Sequence, residues 1–288
     1  MKTKNVLFNI ITRASRKNFF KICYDSIHNQ TYKKFRHIVT YETEEMREYL
    51  EQFDDIVLVK VPHKQTIPGL LVCWRHNPAT EGYLNPDHDF LDYRAINREE
   101  TWGDSIYTPD RQKIEPKVIT TPPRGGINRW LTGDHTWREY AKHAPYNWYL
   151  KIAEKELQDG WVIYVDDDDQ LYNNTTLEDL NAKIVEYGSE DVLHLNQFSY
   201  PNGDLIPDEG RSFLYEHGFP FVHRQISGVC LCFHTKYADY TYWDEWSSAD
   251  FRTASSLREK IGKLNMTNLI AIKLTNGTSG GDRKDINV

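Results

Sequence analysis

Four consecutive aspartates, Asp166, Asp167, Asp168 and Asp169, directly follow the apolar segment 161–165. Such a segment predicts a buried strand, and the carboxyl ends of parallel strands form the ligand-binding edge of an open α/β sheet. Like charges packed so closely repel one another unless a cation lies between them. Carboxylate oxygens favour hard divalent cations, which in turn bridge to phosphates. The run therefore predicts a site for Mn²⁺ or Mg²⁺ and a diphosphate, in preference to a solvated acidic turn.

The elements that must position this run alternate between strands and helices. Strands are predicted at 6–11, 35–40 and 56–61, with helices at 15–29 and 44–53. This order is typical of a doubly wound, mostly parallel α/β sheet that binds nucleotides where its strands end. Further along the chain we predict helices at 146–158, 176–187 and 249–261, and strands at 161–165, 192–198, 229–233 and 268–274.

The segment 62–142 interrupts this regularity. It is rich in prolines and aromatic residues and shows no sustained hydrophobic period. A structureless connection of that length is uncommon inside a compact domain. We therefore expect a single domain over residues 1–288, with 62–142 as an insertion that contains short elements of its own.

Composition and charge restrict the partners and the compartment. A net charge of −7 and a pI of about 5.9 leave no dominant basic face, which disfavours a nucleic-acid partner. No apolar run reaches the roughly 18 residues that suggest a membrane helix, and the N-terminal apolar run is too short for a signal peptide. The four cysteines form no C-x-x-C pair. We expect a cytoplasmic protein with reduced cysteines, whose oligomeric state the sequence leaves open.

Two further segments accompany the aspartate run, and together the three resemble the family 2 glycosyltransferases with the GT-A fold. The segments 9–13 (Asn-Ile-Ile-Thr-Arg) and 25–32 (Asp-Ser-Ile-His-Asn-Gln-Thr-Tyr) match the family's opening strand, arginine-bearing loop and following helix. The segment 165–169 lies over the family's Leu-Asp-Ala-Asp-Asp motif. The resemblance covers roughly residues 5–61 and 145–275, and it leaves the 62–142 insertion uncovered.

The resemblance implies a metal-dependent enzyme that takes its sugar from a nucleotide-sugar, with UDP as the expected nucleotide. Asp166 and Asp168 become the two aspartates of a D-x-D motif and the expected ligands of Mn²⁺ or Mg²⁺. The second strand ends in Thr-Tyr-Glu instead of the family's Asp-Asp-Gly-Ser, so Glu42 takes the place of the carboxylate that holds the uracil ring. The expected donor-binding residues are Thr12, Arg13, Glu42, Asn147, Asp166 and Asp167.

The acceptor side is predicted around the start of the last helix. The family often opens this helix with Glu-Asp, whose aspartate is the catalytic base, and Asp250 matches that aspartate while Ala249 replaces the glutamate. Asp244 and Glu245 are the nearby substitutes for this base. Trp243 and Trp246 flank it and are expected to stack on the acceptor, because flat rings cover the apolar faces of sugars. We place the insertion on this side as well.

The expected activity is an inverting transfer of a hexose or pentose to a hydroxyl group, with a glycan as the first choice of acceptor. The alternatives are a glycosyltransferase that modifies protein or DNA, and a catalytically inactive GT-A module that only binds sugar. A nucleotidyltransferase is disfavoured, because such enzymes open with a glycine-rich loop and residues 12–16 contain no glycine.

Overall fold

A computed structural model describes residues 5–64, 144–219, 221–222, 225–245 and 248–275. For five strands between residues 70 and 142 it describes the backbone. Within these ranges the helices are too short or too polar to cross a lipid bilayer.

The described elements alternate between strands and helices as far as residue 60, as the sequence predicts. The strands are β1 (Phe8–Arg13), β2 (Phe35–Tyr41), β3 (Ile56–Lys60), β4 (Leu70–His76), β5 (Arg94–Asn97), β6 (Ile106–Tyr107), β7 (Lys113–Ile114), β8 (Trp137–Lys142), β9 (Trp161–Tyr164), β10 (Asp169–Leu171), β11 (Leu193–Ser199), β12 (Leu205–Ile206), β13 (Leu231–His234) and β14 (Leu264–Leu274). The helices are α1 (Lys17–His28), α2 (Glu44–Leu50), α3 (Trp148–Ala153), α4 (Thr176–Tyr187), α5 (Glu209–Glu216) and α6 (Ala249–Ile261).

The main sheet has the order β10-β14-β11-β13-β9-β1-β2-β3, and β12 pairs with β11. β1 lies between β2 and β9 and runs parallel to both. Its residues from Phe8 to Thr12 are buried, as the near-continuous apolar run predicts for a strand covered on both faces. β13 runs antiparallel to its neighbours β9 and β11. The result is the expected mostly parallel α/β sheet flanked by helices.

The predicted helix 146–158 is divided in the structure. A 3-10 turn (Pro145–Asn147) leads into α3, and a second 3-10 turn (Glu154–Glu156) follows it. The predicted last strand is longer at its start, since β14 begins at Leu264 instead of 268. Its first residues, Leu264–Met266, pair in regular register with β11, the register shifts follow them, and Asn268 adopts a positive φ of 52°. The irregularity around Asn268 separates this first part of the strand from the apolar run that predicts the rest of it.

The insertion after β3 contains its own antiparallel sheet, with the order β7-β6-β5-β4-β8. The existence of separate elements within 62–142 agrees with the sequence analysis. Their position on the acceptor side stays a prediction.

Candidate active site

The aspartate run forms the turn that connects β9 to β10. The Val165 backbone N–H donates to the Ile11 carbonyl at 3.0 Å, which extends the pairing of β9 with β1 up to the run. The Asp169 N–H then donates to the Asp166 carbonyl at 2.9 Å and closes the turn. The turn brings the carboxylates of Asp166, Asp168 and Asp169 together, with one oxygen from each within 4.8 Å of the others. Three carboxylate oxygens at this spacing suit a hard divalent cation.

Asp169, which the sequence analysis did not select, is the third member of this group. Its side chain is buried, and its Oδ1 has no hydrogen-bond partner among the described residues. Burial, together with the charges of Asp166 and Asp167, raises the pKa of Asp169 well above its usual range. A buried oxygen without a donor next to two further carboxylates fits a cation better than a purely structural turn. The described residues thus fit the metal that the sequence predicts.

Asp167, predicted to contact the donor, instead binds the loop that follows β1. Its Oδ2 accepts hydrogen bonds from the Ser15 N–H at 2.7 Å, the Ser15 hydroxyl at 2.9 Å and the Arg16 N–H at 2.9 Å. Its Oδ1 accepts from Arg16 Nε at 3.0 Å and also from Arg16 Nη2. Asp167 is fully buried and does not line the neighbouring cleft. It fixes the position of the run relative to the start of α1.

A cleft of about 590 Å³ opens beside the aspartate run. It brings together most of the residues predicted from the sequence. These are Arg13, Glu42, Asn147, Asp166, Asp168, Trp243 and Asp250. Ser15, Arg16, Tyr146, Tyr164 and Gly228 also line it. The lining combines the ends of β1, β2 and β9 with the segments around 228 and 243–250.

The wall formed by β1 and β2 carries cationic, anionic and aromatic groups. The Arg13 guanidinium lies 4.3 Å from the ring centroid of Tyr146. Glu42 pairs with His63 at 2.8 Å, so the carboxylate expected near the nucleotide base has an imidazole partner. These groups provide a flat ring, a cation and a hydrogen-bond acceptor within one cleft.

Thr12, also predicted to contact the donor, lies behind this wall and does not line the cleft. It is fully buried, and its hydroxyl lies 3.0 Å from Nε2 of His37 and 3.9 Å from Sγ of Cys23. Burial and the charge of His28 lower the pKa of His37 to about 3, so this imidazole is neutral near pH 7. Thr12 therefore joins β1 to β2 and α1.

Asp250 lies on a second wall of the cleft, next to Gly228 and in the first turn of α6. Its Oδ1 accepts the Phe251 N–H at 2.8 Å. Burial raises the pKa of Asp250 above its usual value, while the Phe251 N–H and the Arg252 guanidinium partly oppose that rise. A carboxylate with a raised pKa is a stronger proton acceptor once it is ionised.

The two substitutes for this base are engaged elsewhere, and neither lines the cleft. Asp244 forms a bidentate pair with the fully buried Arg252, at 2.8 Å from Nε and 2.7 Å from Nη2. Glu245 forms an ion pair with Lys64. Of the three carboxylates considered from the sequence, Asp250 alone faces the cleft.

Trp243 forms part of the same wall, while Trp246 lies outside the described residues. The ring of Trp243 packs edge-on against Tyr164, with centroids 4.9 Å apart. The backbone at Gly228 approaches this ring closely, because a Cβ at that position would lie 2.5 Å from Cη2 of Trp243. The glycine thus permits the turn before β13 to pack against the tryptophan.

Behind this wall, the buried carboxylate of Glu154 connects three elements. It accepts hydrogen bonds from the Tyr164 hydroxyl at 2.7 Å and from the Thr241 hydroxyl at 2.7 Å. Lys151 pairs with it at 2.9 Å and also donates to Thr241 at 2.7 Å. The end of α3, the end of β9 and the segment leading to Trp243 are joined through this network.

Asp169 was predicted only as a member of the run and not as a metal ligand, and Arg16, Tyr164 and Gly228 were not predicted. Asp169 stands in the aspartate run itself, so the repulsion argument already applied to it. Arg16 follows Arg13 in the same loop, but its partner Asp167 lies 151 residues further along the chain. That contact has no local signal in the sequence.

No family model matches the chain. A curated protein of Metamycoplasma hominis, described as a tRNA (guanine-N(7)-)-methyltransferase, is 29% identical over 164 residues, which cover 54% of this chain and 71% of that protein. Among solved structures, Staphylococcus aureus TarS 1–349 aligns with a TM-score of 0.52 at 12% identity, over 93% of this chain and 60% of TarS 1–349. The same TarS segment in complex with UDP aligns with a TM-score of 0.50 at 14% identity, over 92% and 59% of the two chains.

The chain therefore spans about 60% of the TarS segment that it matches. At these identities the likeness concerns the fold. The topology of the sheet and the similarity to TarS agree with the architecture expected from the sequence. The chain has a GT-A-like α/β fold with a long insertion after its third strand.

Proposed function

We propose that this protein is a metal-dependent, inverting glycosyltransferase that moves a sugar from a UDP-sugar to a hydroxyl group of a glycan. One observation carries the proposal. In a GT-A-like fold, a single cleft is lined on one wall by Asp166 and Asp168, two members of a group of three carboxylates, and on a second wall by the separate carboxylate Asp250. The first wall suits a cation with a diphosphate, and the second suits a proton acceptor.

Asp166, Asp168 and Asp169 would hold the metal, and Mn²⁺ or Mg²⁺ fits their oxygen ligands. A bound divalent cation neutralises charge on the departing diphosphate. Arg13 and Asn147 line the same wall and contribute a cation and an amide to donor binding. Glu42 and the Tyr146 ring provide a hydrogen-bond acceptor and a stacking surface for the base. The similarity to TarS, whose matching segment has been solved with UDP, supports UDP as the first nucleotide to test.

Asp250 would take the proton of the acceptor hydroxyl as that oxygen attacks the anomeric carbon. A single displacement of this kind inverts the configuration at that carbon. The Trp243 ring lies in the same wall and offers an apolar face to the acceptor sugar. The transfer needs both walls, because the donor lies against one and the acceptor enters along the other.

The decisive experiment combines a donor screen with metal-dependent binding. Hydrolysis of UDP-, GDP- and dTDP-sugars would be measured with and without Mn²⁺, and UDP binding would be followed by calorimetry. We expect hydrolysis of a UDP-sugar that requires the metal. Asp168→Asn should remain folded and lose Mn²⁺-dependent UDP binding. Wild-type UDP affinity in that variant would show that the aspartate run is not the metal site.

The same screen separates the alternative acceptors and the inactive module. Metal-dependent UDP binding without any hydrolysis or transfer would indicate a sugar-binding module. Where a donor is hydrolysed, transfer to a glycan, a protein or a DNA base can be tested with the matching acceptor. The net charge of −7 favours a glycan or protein over DNA.

The similarity to a protein described as a tRNA methyltransferase makes methyl transfer to RNA a second candidate. The site argues against it, because three clustered carboxylates have no evident use in binding a sulfonium methyl donor or an RNA backbone. Calorimetry with S-adenosylmethionine tests this candidate. Micromolar binding of that compound, together with no effect of UDP and Mn²⁺, would replace our proposal.

A further inference from the structure

Arg16 is the described cation in closest contact with the aspartate run. Its Nη1 lies 2.8 Å from Oδ2 of Asp168, while Nε and Nη2 both bond to Oδ1 of Asp167. Both carboxylate side chains are almost completely buried, and the arginine side chain keeps 24% of its surface exposed. Arg16 also lines the cleft. The Arg16 guanidinium therefore connects Asp167, which holds the loop after β1, to Asp168, a proposed metal ligand.

We propose that Arg16 is an internal counter-cation for the ligand-free site, whose Nη1 exchanges Asp168 for a diphosphate oxygen of the donor when a divalent cation binds. The inference rests on the proposed function for its second half, because it assumes a nucleoside diphosphate. Arg16 acts here as a positioning residue for the carboxylates and as a contact for the donor.

The exchange requires only a small change, because Asp167 holds the guanidinium independently of Asp168. Two of the three guanidinium nitrogens stay on Asp167, and the Ser15 and Arg16 backbone N–H groups fix the other oxygen of that carboxylate. Only Nη1 needs a new partner. A guanidinium and a divalent cation on one carboxylate repel each other, so binding of the metal to Asp168 weakens the ion pair between Asp168 and Nη1 of Arg16. An incoming phosphate oxygen is a strong acceptor for the released N–H.

The arrangement predicts two effects of opposite sign when Arg16 is removed. Without nucleotide, loss of the competing guanidinium should tighten binding of Mn²⁺ about fivefold. With saturating Mn²⁺, loss of the phosphate contact should weaken binding of UDP about tenfold, which corresponds to about 1.4 kcal/mol. A residue that only stabilised the local structure would weaken both. Arg16 thereby makes binding of metal and donor cooperative.

The test uses Arg16→Gln and Arg16→Ala in the full-length protein, with calorimetry for Mn²⁺ alone and for UDP at saturating Mn²⁺. The glutamine keeps an N–H donor for Asp167, and the alanine variant leaves the three bonds to Oδ2 in place. Arg47→Ala is the matched control, since it removes the same charge from exposed ion pairs on α2. Circular dichroism confirms that each variant is folded.

The expected result is tighter Mn²⁺ binding in both Arg16 variants and wild-type binding in Arg47→Ala. Mn²⁺ affinity that is unchanged or weaker in both Arg16 variants overturns the proposal, and so does an absence of Mn²⁺ binding from all proteins. The proposed glycosyltransferase function fails by a different result, which is that no nucleoside diphosphate binds the wild-type protein with Mn²⁺. The measurement with metal alone does not depend on that outcome.

Discussion

Asp250 and the aspartate run are both acidic, yet their surroundings suit them to different proposed roles, a proton acceptor and a metal site. The run provides several oxygens at a cation's spacing, whereas Asp250 faces the cleft in the first turn of α6, and burial raises its pKa. Asp250→Asn removes the carboxylate that we propose as the proton acceptor and keeps the shape of the side chain. We expect donor binding to be retained while transfer falls by about 10²–10⁴-fold, the usual contribution of a positioned general base. Steady-state transfer and UDP calorimetry on one preparation measure both quantities.

The matched controls are Asp244→Asn and Glu245→Gln. Asp244→Asn is expected to lower stability, because it removes the charge that pairs with buried Arg252. Glu245→Gln should be close to wild type in turnover. If Asp250→Asn turned over normally and Glu245→Gln did not, the proton acceptor would be Glu245.

The raised pKa of Asp250 also sets the direction of the pH dependence. A carboxylic acid that holds its proton cannot accept another, so transfer should fall as the pH drops through the pKa of Asp250. Since burial raises that pKa, the fall should begin above about pH 4, where an ordinary aspartate titrates. The profile of kcat/KM against pH measures this. A profile that stays flat from pH 7 down to about pH 4 would contradict the role of Asp250.

Residue types and local order were enough to predict that Asp166, Asp168, Asp250 and Trp243 lie around one cleft, while their roles stay predictions. They were not enough to assign roles within the run, because four identical neighbours give no indication of which side chain faces inward. Asp167 faces the loop of Ser15 and Arg16, a contact across about half of the chain. The side chain of Thr12, near the end of β1, likewise points toward His37 instead of the cleft.

At the level of elements, the turn before β13 depends on the absence of a side chain at Gly228. A methyl group there would lie 2.5 Å from the Trp243 ring, which Tyr164 supports from another side. Gly228→Ala should destabilise the protein by about 1–3 kcal/mol, the usual cost of an overpacked core. Urea denaturation measures this difference.

Gly210→Ala is the control for that variant. Gly210 lies in α5, and the nearest atom to an added Cβ is Oδ1 of Asp208 at 3.3 Å. Alanine has the higher helix propensity, which offsets the close contact with Asp208, so this change should cost less stability than Gly228→Ala. Equal stability of the two variants would show that the Trp243 ring moves aside without cost.

The hydrogen bonds of Glu154 lead to a second prediction, which concerns the stability of the elements that they join. Glu154→Ala leaves the hydroxyls of Tyr164 and Thr241 and the Lys151 ammonium without their shared acceptor. We expect a loss of roughly 3 kcal/mol, near the lower end for breaking a buried pair, since Lys151 is partly exposed. Glu154→Gln retains an acceptor and should lose less. Thermal melts that coincide for Glu154→Ala and wild type would contradict this role.

Helix and strand positions were largely predictable where a regular period was present. The helices 176–187 and 249–261 agree with α4 and α6 in both bounds. The prediction of one helix over 146–158 was wrong, because its apolar stripe, which runs to Leu157, spans residues that form a 3-10 turn. A hydrophobic stripe indicates which side of a segment is buried. It does not distinguish one α-helix from several short helical turns that follow one another.

Across the whole molecule, the cleft draws its described lining from residues outside 62–142. Donor chemistry should therefore tolerate changes in the insertion. Trp102→Ala, which lies outside the described residues, should leave donor hydrolysis nearly unchanged while lowering transfer or altering the oligomeric state. Donor hydrolysis and light scattering measure the two effects. Loss of donor hydrolysis in a folded Trp102→Ala protein would show that the insertion reaches the nucleotide.

The α/β class and the insertion could be predicted from alternating patterns and from the lapse in periodicity after Pro62. The direction of β13 could not, because a short apolar strand has the same appearance whether it runs parallel or antiparallel to its neighbours. Strand order also depends on pairings between residues far apart in the chain, such as those of Cys232 with His194 and Ile163.

The reversed direction of β13 has a consequence for how such a cleft can diversify. The wall of the cleft that we propose for the donor is formed by the segments that follow β1, β2 and β9. The turn at 228–230 instead precedes β13. The connection between β12 and β13 can therefore change in length or sequence without altering any of the strand ends that we propose to bind the donor. Related chains could vary this side of the cleft through this connection together with the segment that carries Trp243, and a graft of both segments between such chains would test whether they set the acceptor while the sugar donor stays the same.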